Sequence, residues 1–284
     1  MPPASMLRVA TANVNGVRAA FRRGMGDWLA ARDVDLLALQ EVRASTDDLA
    51  ALLGDEWSIL HDPATAKGRA GVAIASRADA HIHRVELGET DHDTAGRWLE
   101  ADYEVGGRIV TVVSCYVPSG EADSPKQVDK YRFLDAMSER MTQLAEHELA
   151  VVVGDLNVGH RTLDIKNWKG NVKRAGFLPE ERAYFDRFMG SEDDERYNAG
   201  AGLGWVDVGR RVAGEVPGPY TWWSWRGKAF DNDSGWRIDY QLATPALADL
   251  VQAYSVDRAD AYDQRWSDHA PVVVDYAIPT PEDS

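Results

Sequence analysis

A single cysteine stands among 284 residues, so no intrachain disulfide can form. Disulfide-stapled scaffolds of the secreted class are thereby excluded, and a reducing compartment, the cytosol, is the expected location. No apolar run is long enough to span a bilayer, so no membrane partner is expected. Met1 to Arg8 has no basic segment followed by an apolar stretch and a cleavage site, and a secretory signal is not expected there. Positive charge is also scarce. The 46 acidic residues outnumber the 31 basic ones, giving a formal net charge of -15. A protein that coats nucleic acid without selectivity has the opposite balance. Linkers rich in Pro, Gly or Ser, low-complexity blocks and short-period repeats are missing too, and so is a Gly-rich nucleotide-binding turn after the first strand-like run. With no visible boundary, one domain is expected.

What is present is an ordinary globular composition, 44% hydrophobic and 27% charged, with enough apolar material for a sizeable core. Strand-like runs occur at Leu7–Ala12, Leu36–Leu39, Gly71–Ala75, Ile82–Leu87, Leu99–Val105 and Ile109–Tyr116. A second set follows at Leu149–Val153, Val206–Val208, Ile238–Ala243, Val251–Val256 and Val272–Tyr276. Helical periodicity is clearest over Pro125–Glu148, with Val128, Tyr131, Leu134, Met137, Met141 and Leu144 on one face. Shorter helices are expected at Gly24–Arg32, Thr46–Leu53 and Glu180–Met189, and loops at Asp164–Gly176 and Glu192–Gly204. Two sheets packed face to face, with helices outside, accommodate this many strands in an α/β fold. Cys115, inside an apolar run, reads as a small buried hydrophobe.

Four polar motifs sit where buried strands would surface: Asn13-Val14-Asn15-Gly16, Leu39-Gln40-Glu41, Gly154-Asp155-Leu156-Asn157 and Ser267-Asp268-His269-Ala270-Pro271. Residues two apart in extended chain point the same way, so Asp155 and Asn157 project together, as do Asn13 and Asn15. Each motif alone is also a good turn sequence. Gly154 permits close backbone approach. In Trp236–Leu242, alternation puts Arg237, Asp239 and Gln241 on one face. There Asp239 either pairs with Arg237 or orients His269 and stabilises its imidazolium. Carboxylates, amides and one imidazole together suit a hard divalent cation and a phosphate ester. His81 and His83 lack a nearby acid at metal-site spacing and read as surface or edge-strand residues.

Two stretches offset the acidic balance. Lys166 to Arg174 holds Lys166, Lys169, Lys173 and Arg174 without an acid, and Pro217 to Phe230 carries Arg226 and Lys228 among Tyr220, Trp222, Trp223, Trp225 and Phe230.

In their order along the chain, Asn13–Arg18, Leu39–Glu41, Tyr116-Val117-Pro118, Gly154–Asn157, Phe177–Arg182, Trp236–Asp239 and Ser267–Pro271 resemble the exonuclease III family of apurinic/apyrimidinic endonucleases, within the DNase I-like phosphoesterases. The resemblance covers about Leu7 to Tyr276. It implies a four-layer α/β sandwich, two mixed sheets with helices outside, as one catalytic domain. It implies a phosphodiesterase dependent on Mg²⁺ or Mn²⁺, with one or two ions, acting as a monomer on double-stranded DNA. The substrates implied are abasic sites, incised on the 5′ side, and DNA 3′ ends. Residue by residue, Glu41 resembles the main metal ligand, with Asp268, Asn13 and Asn15 near the ion and Asp155 and Asn157 at its edge. Asp155 resembles the group that activates water, Asn157 the one that holds a phosphate oxygen, and His269, paired with Asp239, the imidazole on the scissile phosphate. Tyr116 resembles an active-site tyrosine, as donor or phenolate. Trp222, Trp223 and Trp236 match walls of a pocket for a baseless sugar, whereas Trp225 reads as core. Lys166, Lys169 and Arg226 become phosphate contacts. Two positions depart from common members: Asn15 where some carry an acid, and Arg43 where many carry lysine. A relative acting on RNA, an inositol phosphate or a lipid is the alternative reading, and a catalytically silent nucleic-acid-binding module a further one.

Overall fold

The computed structural model describes residues 4–66, 68–88, 90–190 and 202–281. Numbered in chain order, β1 (Ala4–Asn13), β2 (Leu36–Gln40), β3 (Ser58–Asp62), β4 (Val72–Ser76), β11 (Val251–Val256) and β12 (Val272–Pro279) build one sheet. Its strand order is β11-β12-β1-β2-β4-β3. The second sheet contains β5 (Ile82–Arg84), β6 (Trp98–Val105), β7 (Arg108–Tyr116), β8 (Ala150–Asp155), β9 (Val206–Asp207) and β10 (Asp239–Ala243). Its order is β5-β6-β7-β8-β10-β9. Helices α1 (Val17–Arg22), α2 (Met25–Arg32) and α3 (Thr46–Leu53) cover the first sheet, while α5 (Pro125–Leu144) and α6 (Pro179–Met189) cover the second. Three short helices, α4 (Thr90–Asp93), α7 (Val208–Ala213) and α8 (Pro245–Ala248), complete the chain's connections. The layering expected from the sequence is therefore present.

Alternation within each strand builds these layers. Val151 and Val153 point into the core between the sheets, while Val152 packs under α5 and α6. In β2, Leu36 and Ala38 face inward and Leu37 and Leu39 meet the outer helices. A β-branched run buried on both faces is what a central strand between two helical layers requires. Cys115 is fully buried, and burial pushes its thiol well above the usual range. No helix among the described residues is long and apolar enough to cross a membrane.

Several expectations shift. The strand β3 was not apparent from its sequence, and Val206–Val208 divides into β9 and the first turn of α7. Asp207 makes that break by accepting from Arg210 N at 3.0 Å, an N-cap that turns strand into helix. Helix α5 ends at Leu144 rather than Glu148, and its buried face is rotated. Val128 is 61% exposed, while Gln127, Lys130, Phe133 and Ser138 join Leu134, Met137, Met141 and Leu144 inside. The expected loop Glu192–Gly204 falls, through residue 201, outside the described residues. His81 and His83 are exposed beside or within edge strand β5.

Register decides where the polar motifs surface. β1 and β2 run parallel with Asn13 opposite Gln40, and β7 and β8 run parallel with Tyr116 opposite Asp155. β10 begins at Asp239, opposite Asp155, and β12 begins at Val272, opposite Thr11. Four strand ends and two strand starts thus share one edge of the sandwich. Just beneath it, a polar seam joins the sheets. Gln40 donates to Ser114 Oγ at 3.1 Å, and Gln241 donates to the Val9 carbonyl at 2.9 Å.

Candidate active site

At that edge one hydrogen-bonded network runs between the sheets. The Asn13 amide nitrogen donates to Glu41 Oε1 at 2.9 Å and to Asp155 Oδ2 at 2.8 Å. Asn13 Oδ1 accepts from Asn15 N at 3.0 Å, and Asn15 Nδ2 donates to Asp268 Oδ1 at 2.9 Å. An acid at position 15 could not make that last bond, so the amide there serves Asp268. Ser267 Oγ donates to the Asn13 carbonyl at 2.7 Å, fixing the loop that carries Asp268 and His269.

Local backbone conformation aims these groups. Asn15, Glu41, Arg43 and Asn157 adopt φ of 46°, 52°, 51° and 49°. Left-handed conformations are uncommon outside glycine and gather where a site over-determines them. Gly154 is needed for close approach: a Cβ there would lie 2.0 Å from the Cys115 carbonyl oxygen. That contact sets the register that places Asp155 beside Tyr116.

The imidazole of His269 is the centre of the buried charge. Its Nδ1 lies 2.9 Å from Asp239 Oδ2, and its Nε2 lies 3.7 Å from Asp155 Oδ2. Thr221 Oγ1 donates to Asp239 Oδ2 at 2.6 Å, so Asp239 is held from both sides. Burial alone would depress the His269 pKa, but Asp239 and then Asp155 overcome it and push it up to about 10. The ring is an imidazolium at neutral pH. Burial, and then Asp239 and Glu41, raise Asp155 above the usual carboxylate range against the pull of His269. A carboxylate raised in this direction is a better general base. Tyr116 is raised above its ordinary value by burial and by the Glu41 and Asp155 carboxylates, which keeps the phenol protonated. Of the two roles open to Tyr116, that environment favours the donor.

Beside this network the tryptophan segment forms a short ladder. Trp222 bridges to Trp236 on one side and to His269 on the other. The two indoles meet edge to face, 6.2 Å apart at 88°, and Trp222 Nε1 donates to Asp268 Oδ2 at 3.2 Å. Trp236 packs on Gly176, where a Cβ would come within 3.0 Å of its ring. Lys166 N donates to the Gly235 carbonyl at 3.1 Å, which sets the basic Lys166–Arg174 loop alongside the tryptophans. Lys166, Lys169 and Arg226 are exposed there.

Residues 10–269 match the Endonuclease/Exonuclease/phosphatase family. The chain belongs to that family. It is 30% identical over 267 residues to the exodeoxyribonuclease of Bacillus subtilis (strain 168), covering 94% of this chain and 98% of that protein. It superposes with a TM-score of 0.79 on a 3′ phosphatase from Neisseria bound to product DNA hairpin, at 28% identity, covering 95% of this chain and 99% of that one. An AP endonuclease from Archaeoglobus fulgidus gives a TM-score of 0.76 at 27% identity, covering 94% and 98%.

As a member of this family, the chain departs from its sequence-based reading in two places, Trp223 and Trp225, and decides between the two readings of Asp239. Trp223 is 1% exposed and packs against Phe230 at 5.3 Å, so it belongs to a buried cluster and does not share the open side with Trp222. The reason is alternation, since Trp222 takes the open side and its neighbour must take the other. Trp225, expected in the core, is only half-buried at the rim, its ring under the guanidinium of Arg265 at 4.1 Å. Arg237 does not pair with Asp239. It binds Asp164 and Asp207 at 2.8 and 2.7 Å in a buried network, which leaves Asp239 to His269. Sequence reading also missed Arg97, whose guanidinium lies 4.8 Å over the Tyr116 ring and donates to the Tyr116 carbonyl at 3.1 Å. Nothing in the sequence around Arg97 marks it, because the contact is made across the β6–β7 pair.

The donor set fits a hard cation. Carboxylates of Glu41, Asp155 and Asp268 with the amides of Asn13 and Asn15 are oxygen-rich, and repulsion from Glu41 contributes to raising Asp155. The guanidinium of Arg43 already pairs with Glu41, so positive charge is drawn to this position. Ligand atoms of Asp155, Asp239 and His269 also lie within 4.8 Å of one another, but Asp239 and His269 satisfy each other.

Proposed function

We propose that this chain is a divalent-metal-dependent DNA phosphodiesterase of base-excision repair, incising 5′ to abasic sites and removing nucleotides or blocking groups from 3′ ends. The observation that carries it is the continuous network Glu41–Asn13–Asp155–His269–Asp239 set beside the Trp222–Trp236 wall. The names of its relatives, an exodeoxyribonuclease, a 3′ phosphatase and an AP endonuclease, support the same substrate class.

Glu41 and Asp268, with Asn13 and Asn15 beside them, would hold Mg²⁺ or Mn²⁺, which supplies charge neutralisation at the phosphate and help for the leaving 3′-oxygen. Asp155 takes the proton of the attacking water. His269, kept cationic by Asp239, meets the charge that develops on the phosphate oxygens. Asn157 donates to a phosphate oxygen; of its two side-chain bonds, the longer, 3.3 Å to Asp155, is the one such an oxygen replaces. Tyr116 donates its phenolic proton to the same group. The apolar faces of Trp222 and Trp236 accept a deoxyribose without its base, and flipping costs least where stacking is already lost. Lys166, Lys169 and Arg226 contact phosphates and so position the duplex without reading sequence.

Asp155→Ala and His269→Ala test these roles. Each should lower kcat on an abasic duplex by about 10²–10³ or more, while circular dichroism and thermal unfolding stay close to the parent. Turnover by a folded variant comparable with the parent's contradicts the assignment.

A further inference from the structure

Lysine is almost never fully buried unless paired. The Lys130 side chain on α5 is fully enclosed, as is that of Glu181 on α6, and their charged atoms lie 2.7 Å apart. An ammonium has three protons to place. The other two go to main-chain carbonyls, Asn157 at 2.9 Å and Ser119 at 3.3 Å. Those carbonyls belong to different loops, the one that follows Tyr116 at the end of β7 and the turn that carries Asn157 after β8. Glu181 is fixed in turn by Gln127 Nε2 and by Leu178 N, each donating at 2.9 Å. Gly120 closes over the pair, and a Cβ there would lie 2.5 Å from Gln127 Oε1 and 3.0 Å from Lys130 Cδ.

A buried ion pair is a poor source of stability, because apolar residues of similar volume often do as well or better. What apolar side chains cannot do is hold two carbonyls of separate loops at a fixed spacing. The Asn157 side chain spans the same gap from the other direction, donating to the Val117 carbonyl at 2.9 Å. The two loops are thus tied twice, through the main chain by Lys130 and through the amide of Asn157. At φ 49° the Asn157 backbone is left-handed, a conformation uncommon outside glycine that asparagine tolerates better than most residues.

We infer that Lys130 is a positioning residue for phosphodiester cleavage, an enclosed ammonium that sets the spacing of the Tyr116 and Asn157 loops, with Glu181 as its fixed counter-ion. The inference rests on the roles proposed above for Tyr116 and Asn157. It also gives a use to the Phe177–Arg182 motif, whose Glu181 reaches the reacting edge through one lysine.

The test is a double-mutant cycle on the whole chain, with an abasic-analogue duplex and Mg²⁺. Lys130→Met/Glu181→Leu removes both charges together, so no unpaired ion is left behind. That variant should unfold within a few degrees of the parent and keep KM within about twofold, while kcat falls about 10–100-fold. Asn157→Ala should cost about 10²-fold in the parent but less than about tenfold in the Lys130→Met/Glu181→Leu background, since its placement is already lost. If the apolar pair does not fold, Lys130→Gln/Glu181→Gln takes its place with the same expectations. Full kcat in the folded double variant, or an equal cost of Asn157→Ala in both backgrounds, overturns the inference. Full kcat in Asn157→Ala alone overturns the role of Asn157 itself, a separate failure with its own signature.

Discussion

Asp155 and Asp239 stand opposite each other in the antiparallel ladder of β8 and β10, two buried carboxylates flanking one imidazole. The strand register therefore creates the charge pattern. Asp239 holds the Nδ1 side of His269 and Asp155 faces its Nε2 side, so the imidazolium is stabilised at one end and presented at the other. Asp239→Asn keeps the shape and removes the charge. The His269 pKa should fall from its value of about 10, and kcat should drop by about 10²–10³. Imidazole titration by NMR reads the first and single-turnover kinetics the second. An imidazole that titrates as before would separate Asp239 from the cationic state of His269.

Neighbouring tryptophans should fail in different ways. Trp222 lines the open side of its ladder, so Trp222→Ala should cost about 1–2 kcal/mol of apolar contact with substrate, roughly a tenfold rise in KM for abasic duplex. Its thermal stability should change little. Trp223 is core, and Trp223→Ala should cost about 3–5 kcal/mol of folding stability. Chemical denaturation alongside KM measurements distinguishes them. Equal losses of stability in both variants would contradict the division.

Acid stability depends on the network under Trp236. Burial opposes charge on Asp164, but Arg237 and Arg210 outweigh it and hold the carboxyl down to about 2. An unfolded aspartate titrates near about 3.9. The folded state therefore holds its proton less tightly, and the stabilisation is complete above about pH 4 and lost as pH falls through about 2. Asp164→Asn should cost about 3 kcal/mol at neutral pH and flatten the fall in unfolding free energy between about pH 4 and 2. Urea titrations at several pH values measure both, and an unchanged acid slope would remove Asp164 from the account.

The reacting edge was legible because its motifs are local. Gly154, Asp155 and Asn157 follow a β-branched run, and strand alternation alone predicts that two polar side chains emerge together. The pairing of Asp239 with His269 was one of two readings, and it was decided by Asp164 and Asp207, which draw Arg237 away. Tertiary partners hid the rest. The strand Ser58–Asp62 is half-buried along its whole length and shows no alternation. The phase of α5 was misread because Lys130, a polar residue, faces inward towards Glu181, while Val128 faces out. Asp207 could have been found as a helix N-cap, whereas Arg97 acts across a strand pair and leaves no local trace.

The central claim is that the residues gathered at this edge cut DNA beside a missing base with the help of a divalent ion. A labelled duplex containing one abasic analogue, run beside an intact duplex with Mg²⁺, with Mn²⁺ and with chelator, tests it most directly. The account predicts incision immediately 5′ to the lesion with either metal, loss of that product with chelator, and no internal cut in the intact duplex. Failure to cut the abasic duplex in the presence of either metal would contradict it.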